Sequence, residues 1–195
     1  MKPFFSAVAL AVMLPVVALA ADAAEVGKPA PAFTLKDESG KEHSLAQYKG
    51  KVVVLEWTNP DCPFVQRHYT AGTMQKTLAG LDAKKVVWLA VDSTSSHTAQ
   101  NAVAWKKEKG FSYPVLQDAS GTVGKAYGAK TTPHMYVIDE KGVLRYAGAI
   151  DDDPRGNKKE GTTNYVKTTV DALLSGKPVP ATTSEPYGCS VKYKS

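Results

Sequence analysis

The chain has 195 residues, a net charge of +5 at neutral pH and only two cysteines. Its lysines are scattered in pairs rather than gathered into a basic stripe with interleaved aromatics, which excludes nucleic acid as a partner class. No glycine-rich nucleotide loop and no Cys and His cluster with structural-zinc spacing occurs, so no cofactor and no metal is expected from these signals.

The first twenty residues, MKPFFSAVALAVMLPVVALA, open with Lys2, continue as an apolar run broken by Pro15 and end in Ala18-Leu19-Ala20. This is the layout of a secretory signal peptide rather than of a bilayer span, and residues 1–23 are read as a leader cleaved after Ala20 or Ala23. The expectation is an exported protein, periplasmic in a Gram-negative bacterium and otherwise secreted, with no membrane association after cleavage. Residues 24–195 suit one domain. In an oxidising compartment thiols form lasting disulfides, and Cys62 and Cys189 allow a single intramolecular pairing.

AFTLKDESGKEHSL has two short alternating runs around Glu38-Ser39-Gly40 and reads as a β-hairpin. KVVVLEWT, residues 51–58, is a continuous β-branched run, as a central strand buried on both faces requires. The pattern turns helical from Pro63 to about Leu81, with Pro63 in the first turn, where its missing N–H costs nothing. KVVWLAVD, residues 85–92, is a second buried strand parallel to the first, and residues 98–110 form a helix stopped by Gly110. Then come a short strand in YPVLQD, a short helix or turn in ASGTVGKAYG, and a hairpin of PHMYVID with GVLRYAGAI. TTNYVKTTVDALLSG is a last helix, and residues 177–195 are a Pro-rich tail with no strong secondary-structure pattern, carrying Cys189. The fold class is α/β: a central mixed sheet with helices on both faces, an N-terminal hairpin and a C-terminal tail.

In open α/β sheets the functional crevice lies at the carboxyl ends of the strands, and Cys62 is just past one. A thiolate is the attacking species, and the unsatisfied N–H groups and positive end of a helix N-terminus favour it. The plainer alternatives are half of a structural disulfide or a small buried hydrophobe.

The stretches NPDCPF, KTTPHMYVID and YGCSVKY occur in the order found in the thioredoxin-like superfamily, and over residues 26–195 the chain resembles its peroxiredoxin-like, or redoxin, branch. The resemblance implies a thioredoxin-like fold, Cys62 as nucleophile, and Thr132 and Pro133 as a cis peptide that pairs with a bound substrate beside the sulfur. It implies a thiol-dependent oxidoreductase of antioxidant type, acting on a protein or small-molecule disulfide or other oxidised thiol and recharged by an external dithiol reductant.

Two departures narrow it. Val65 stands where a dithiol loop has its second cysteine, and Asn59 and Leu55 stand where a peroxidatic loop has threonine and proline, which argues against efficient peroxidase activity. The resolving partner then falls to Cys189; a permanent Cys62–Cys189 tether in a non-catalytic binding domain is the alternative. A third reading, soft-metal (copper) delivery, lacks the second loop cysteine it needs.

Pro63 and Trp57 flank the cysteine and are expected at the substrate, with His68, His134 and Arg145 as candidates to tune the thiol. Asp92 is the best candidate in DSTSSHTAQ for substrate selection. Residues 149–161, with three aspartates in a row, read as a solvated loop, since a calcium loop needs alternating oxygen ligands.

Overall fold

The structure, a computed structural model, describes residues 23–158 and 160–194; the stretch read as a leader, Ala23 apart, lies outside the described residues. The hairpin forms as β1 (Thr34–Lys36) and β2 (Glu42–Ser44), turning on Asp37, whose carboxylate accepts from the Ser39 and Lys41 N–H groups. The central strand is β3 (Val52–Trp57), buried at every residue. It pairs in parallel with β4 (Val86–Asp92), from Val52 opposite Val86 to Trp57 opposite Val91. On its other edge it pairs antiparallel with β7 (His134–Ile138), from Trp57 opposite His134 to Val53 opposite Ile138. With β5 (Val115–Gln117) parallel to β4 and β8 (Leu144–Gly148) antiparallel to β7, the order is β2-β1-β5-β4-β3-β7-β8.

Side chains alternate across a strand, so β3 serves two cores. Val52 and Val54 face α1 (Pro63–Ala71), α2 (Thr73–Ala79), α3 (Ala99–Lys109) and α5 (Tyr165–Leu174) through Val65, Met74, Trp105 and Val166. Val53, Leu55 and Trp57 face α4 (Thr122–Tyr127) and the N-terminal segment through Tyr127 and Phe33. Helices therefore cover both faces.

Three expectations are corrected. The helix from Pro63 to Leu81 is two, broken at Gly72, whose φ of 70° puts a left-handed turn between them. The acidic run near 150 is not simply solvated: Asp151 and Asp153 are buried, and the Asp153 carboxylate accepts from the Asn157 and Lys158 N–H groups. The tail has defined structure, pairing Cys189–Ser190, β9, with Thr131–Thr132, β6, in a separate two-stranded ladder.

One residue breaks the apolar reading of β3. Glu56 is fully buried and accepts from the Tyr69 hydroxyl at 3.0 and 3.1 Å and the Trp88 indole at 3.0 Å, with the Tyr113 hydroxyl at 3.4 Å. Burial outweighs those bonds and lifts its carboxyl to about 7.

Candidate functional site

The sequence Asn59-Pro60-Asp61-Cys62 folds as a side-chain turn. Asn59 Oδ1 accepts from the Asp61 N–H at 2.7 Å, and the Asn59 carbonyl accepts from the Cys62 N–H at 3.0 Å. This sets Cys62 as the N-cap of α1, with φ −80° and ψ 121°, and the Gln66 N–H closes the first helical bond on its carbonyl at 2.9 Å. Pro63 occupies the first turn, as expected, and leaves Phe64 and Val65 as the first N–H donors of the helix.

Two sulfurs meet at this end of the helix: Cys62 is its N-cap, and Cys189, in the tail, pairs with Thr132, whose carbonyl lies 3.0 Å from Cys62 Sγ. Burial pushes the Cys62 thiol up. The Cys189 thiol, the Val65 N–H, the Thr132 hydroxyl and the Cys189 N–H together outweigh it, and Cys62 lies below its ordinary value. The Cys189 thiol moves the other way, to about 11, through burial and through the anion forming next to it. Of the two thiols, Cys62 is the lower.

Thr132 closes the site from the far side of the chain. Its peptide to Pro133 is cis, and its carbonyl lies 3.0 Å from Cys62 Sγ, accepting from the thiol when that is protonated. The Thr132 hydroxyl, 1% exposed at the residue, has no hydrogen-bond partner among the described residues. A buried hydroxyl without a partner costs about 1–3 kcal/mol.

The structure thus brings Cys62, Cys189, Thr132, Pro133 and Pro63 together. It does not bring Trp57, His134 or Arg145 to the sulfur. Trp57, fully buried on the opposite face of β3, donates its indole N–H to Ser93 Oγ at 3.1 Å and packs on Tyr127 and Tyr136. His134 alternates with Met135 along β7, shares the face of Tyr136, and bonds that hydroxyl at 3.0 Å. Arg145 lies at the turn end of the β7–β8 hairpin, beside the start of β3, where it is held by Asp139 at 2.6 Å. His68 is intermediate: it meets the tail, not the thiol, with Nε2 3.0 Å from the Tyr187 hydroxyl and Nδ1 3.9 Å from Asp151. Burial drops it to about 4 against the pull of Asp151, so the ring is neutral at neutral pH.

Sequence reasoning singled out Asp92 but missed its partner. His97 bridges Asp92 at 2.7 Å and Asp61, the residue before the cysteine, at 3.0 Å, tying the Cys62 loop to the β4–α3 connection. The bond to Asp92, opposed by burial and aided by Asp61, lifts His97 to about 9. A raised histidine stabilises the fold fully below its unfolded pKa near 6.5 and loses that contribution as pH rises through 9. His97→Gln is therefore expected to lower stability by about 1 kcal/mol at pH 6, after allowance for solvent screening, and by almost nothing at pH 10. Urea unfolding at the two pH values checks this.

Comparison with known proteins places the chain in a family and a fold. A family model described as AhpC/TSA family matches residues 26–147. The thiol-disulfide oxidoreductase ResA of Geobacillus thermodenitrificans is 29% identical over 123 residues, 63% of this chain and 68% of that protein. A thioredoxin peroxidase of Echinococcus granulosus is 32% identical over 146 residues, 69% of this chain and 75% of that protein. Among solved structures, a hypothetical protein of Sinorhizobium meliloti superposes with a TM-score of 0.75 at 28% identity, covering 89% of this chain and 97% of that one. The fold is thioredoxin-like.

Proposed function

The chain belongs to the AhpC/TSA family, and on that footing we propose that it is an exported thiol–disulfide oxidoreductase in which Cys62 is the nucleophile and Cys189 the resolving thiol. The observation that carries the reading is the pairing of Cys189 with Thr132 directly beside the Cys62 sulfur. In the first step the Cys62 thiolate attacks one sulfur of a substrate R–S–S–R′. A bond forms between Cys62 Sγ and that sulfur, the substrate S–S bond breaks, and R′S⁻ leaves with the electron pair. Cys189 then gives up its proton and its thiolate attacks Cys62 Sγ, forming the Cys62–Cys189 bond and releasing RS⁻. One substrate disulfide becomes two thiols while two protein thiols become one disulfide, which an external dithiol reduces by the same exchange.

Peroxide reduction fits less well. Asn59 holds the place of the peroxide-binding threonine, and its side-chain oxygen is engaged by the Asp61 N–H. Export rests on the leader-like sequence of residues 1–20 and is tested by the mass of the mature protein recovered from outside the cytoplasm.

One equivalent of a small disulfide added to reduced protein, followed by peptide mapping without reductant, tests the chemistry. The expected product is a monomer with a single Cys62–Cys189 bridge. A stable adduct on Cys62 with Cys189 still free overturns the resolving role.

A further inference from the structure

In the docked protein Cys62 is 2% exposed. It belongs to the core under α1, and the tail runs beside it. Strand β9 pairs antiparallel with β6, Cys189 opposite Thr132 and Ser190 opposite Thr131, and the ladder continues with the Val191 N–H donating to the Lys130 carbonyl at 3.1 Å. The main-chain groups of Thr131–Thr132 are the edge on which an incoming extended peptide would add as a strand. Here that edge is already taken, by a segment of the same chain that presents its own cysteine to Cys62.

The tail is fitted from Ser184 to Tyr193. Ser184 Oγ accepts from the Ala149 N–H at 2.9 Å and lies 2.6 Å from the Tyr146 hydroxyl. Tyr187 donates to Asp151 and packs at a tilt against His68, and Arg67 lies over its ring. Tyr193 donates to the Ala129 carbonyl at 2.8 Å over Gly121 and Gly124, where any Cβ would strike its ring. Gly188, at φ 146°, lies so close to β6 that a Cβ there would be 2.1 Å from the Thr132 carbonyl oxygen. A strand this closely matched to its edge competes directly with any other strand for it.

We propose that β9 is a built-in substrate strand that sets specificity: docked, it confines Cys62 to low-molecular-weight disulfides, and peptide or protein disulfides gain access only when the strand leaves. This rests on Cys62 being the nucleophile. A small disulfide needs only in-line approach to the sulfur. A peptide disulfide that binds by strand pairing must first break the Cys189–Ser190 ladder and the contacts that continue it.

The test uses reduced full-length protein carrying Cys189→Ser, so that the adduct on Cys62 accumulates. Two reagents release the same coloured thiolate: a small alkyl aryl disulfide and an extended ten-residue peptide carrying that aryl group on its one cysteine. The expected result is that the small reagent reacts at least about tenfold faster, and that adding Gly188→Ala brings the two rates together. Val191→Pro, which removes the donor to Lys130 without adding bulk against β6, is expected to shift the ratio the same way and guards against misfolding of the first variant. Equal rates before either substitution, or a ratio that neither substitution changes, overturn the specificity role and leave Cys62 chemistry standing. No labelling of Cys62 by either reagent overturns the nucleophile reading, and the specificity role with it.

Discussion

Serine at position 62 is expected to reduce turnover with a low-molecular-weight disulfide and an external dithiol to background, a loss on the order of 10³-fold or more, because the attacking atom itself is gone. Serine at position 189 is expected to act differently: the first thiolate is released, and the protein stops as a mixed disulfide on Cys62. The distinction follows from the position of each sulfur. Cys62 is the N-cap of α1 and lies below its ordinary value, whereas burial and the neighbouring Cys62 hold Cys189 up at about 11. Once the mixed disulfide forms, the anion that raised Cys189 is gone, and that thiol becomes easier to ionise when it is needed. Stopped-flow release of a coloured leaving thiolate reads both steps. Absence of that single burst in the Cys189→Ser variant, or its presence in the Cys62→Ser variant, would contradict the division of labour.

The second large effect is on stability. The Glu56 carboxyl titrates near 7 in the folded protein against an ordinary value of 4.5. Below pH 4.5 both folded and unfolded chains carry the proton, and the group is neutral to stability. Between 4.5 and 7 only the folded protein holds it, so stability falls as pH rises, by about 3 kcal/mol in all, and stays at that lower level above 7. Glu56→Gln keeps an acceptor for the Trp88 indole and a donor for a tyrosine oxygen without the ionisation. The variant is expected to match the wild type at pH 4 and to exceed it by about 3 kcal/mol at pH 8, read as a shift in the urea midpoint. A constant difference across that range would show that burial does not hold the proton on Glu56. A buried acid under the reactive helix persists at a cost in stability, and Tyr69 of that same helix is among its partners.

The sequence made the strands and the reactive turn readable because both are local. β-branched runs fix β3, β4 and β7, and a proline following Cys62 fixes the start of α1. The break at Gly72 was not readable, because a glycine inside a helical pattern signals a stop only when the backbone turns left-handed there. Cys62, Thr132 and Pro133 were found through motif order, and the structure adds the sulfur–carbonyl contact that motif order cannot supply. Trp57 and His134 were misplaced for one reason: both flank the site in sequence, but strand alternation sends their side chains to the other face. The tail was the largest gap. YGCSVKY has no hydrophobic period to announce a strand, and β9 exists because β6 offers an unpaired edge far away in the chain. The His97 bridge and the Tyr187 contacts are invisible for the same reason, since each joins residues on different loops. Gly188 before the cysteine was the one available signal, and its role needs Thr132 in view.

The central claim is that the Cys62 and Cys189 sulfurs form one coupled pair, with Cys62 ionising first. Thiolate absorbance measured through a pH titration of the reduced protein tests it most directly, with Cys189→Ser and Cys62→Ser assigning the steps. The account predicts two separated transitions: the first below the ordinary cysteine value and lost on replacing Cys62, the second near 11. A single transition in which both thiols ionise together at or above that ordinary value would contradict it.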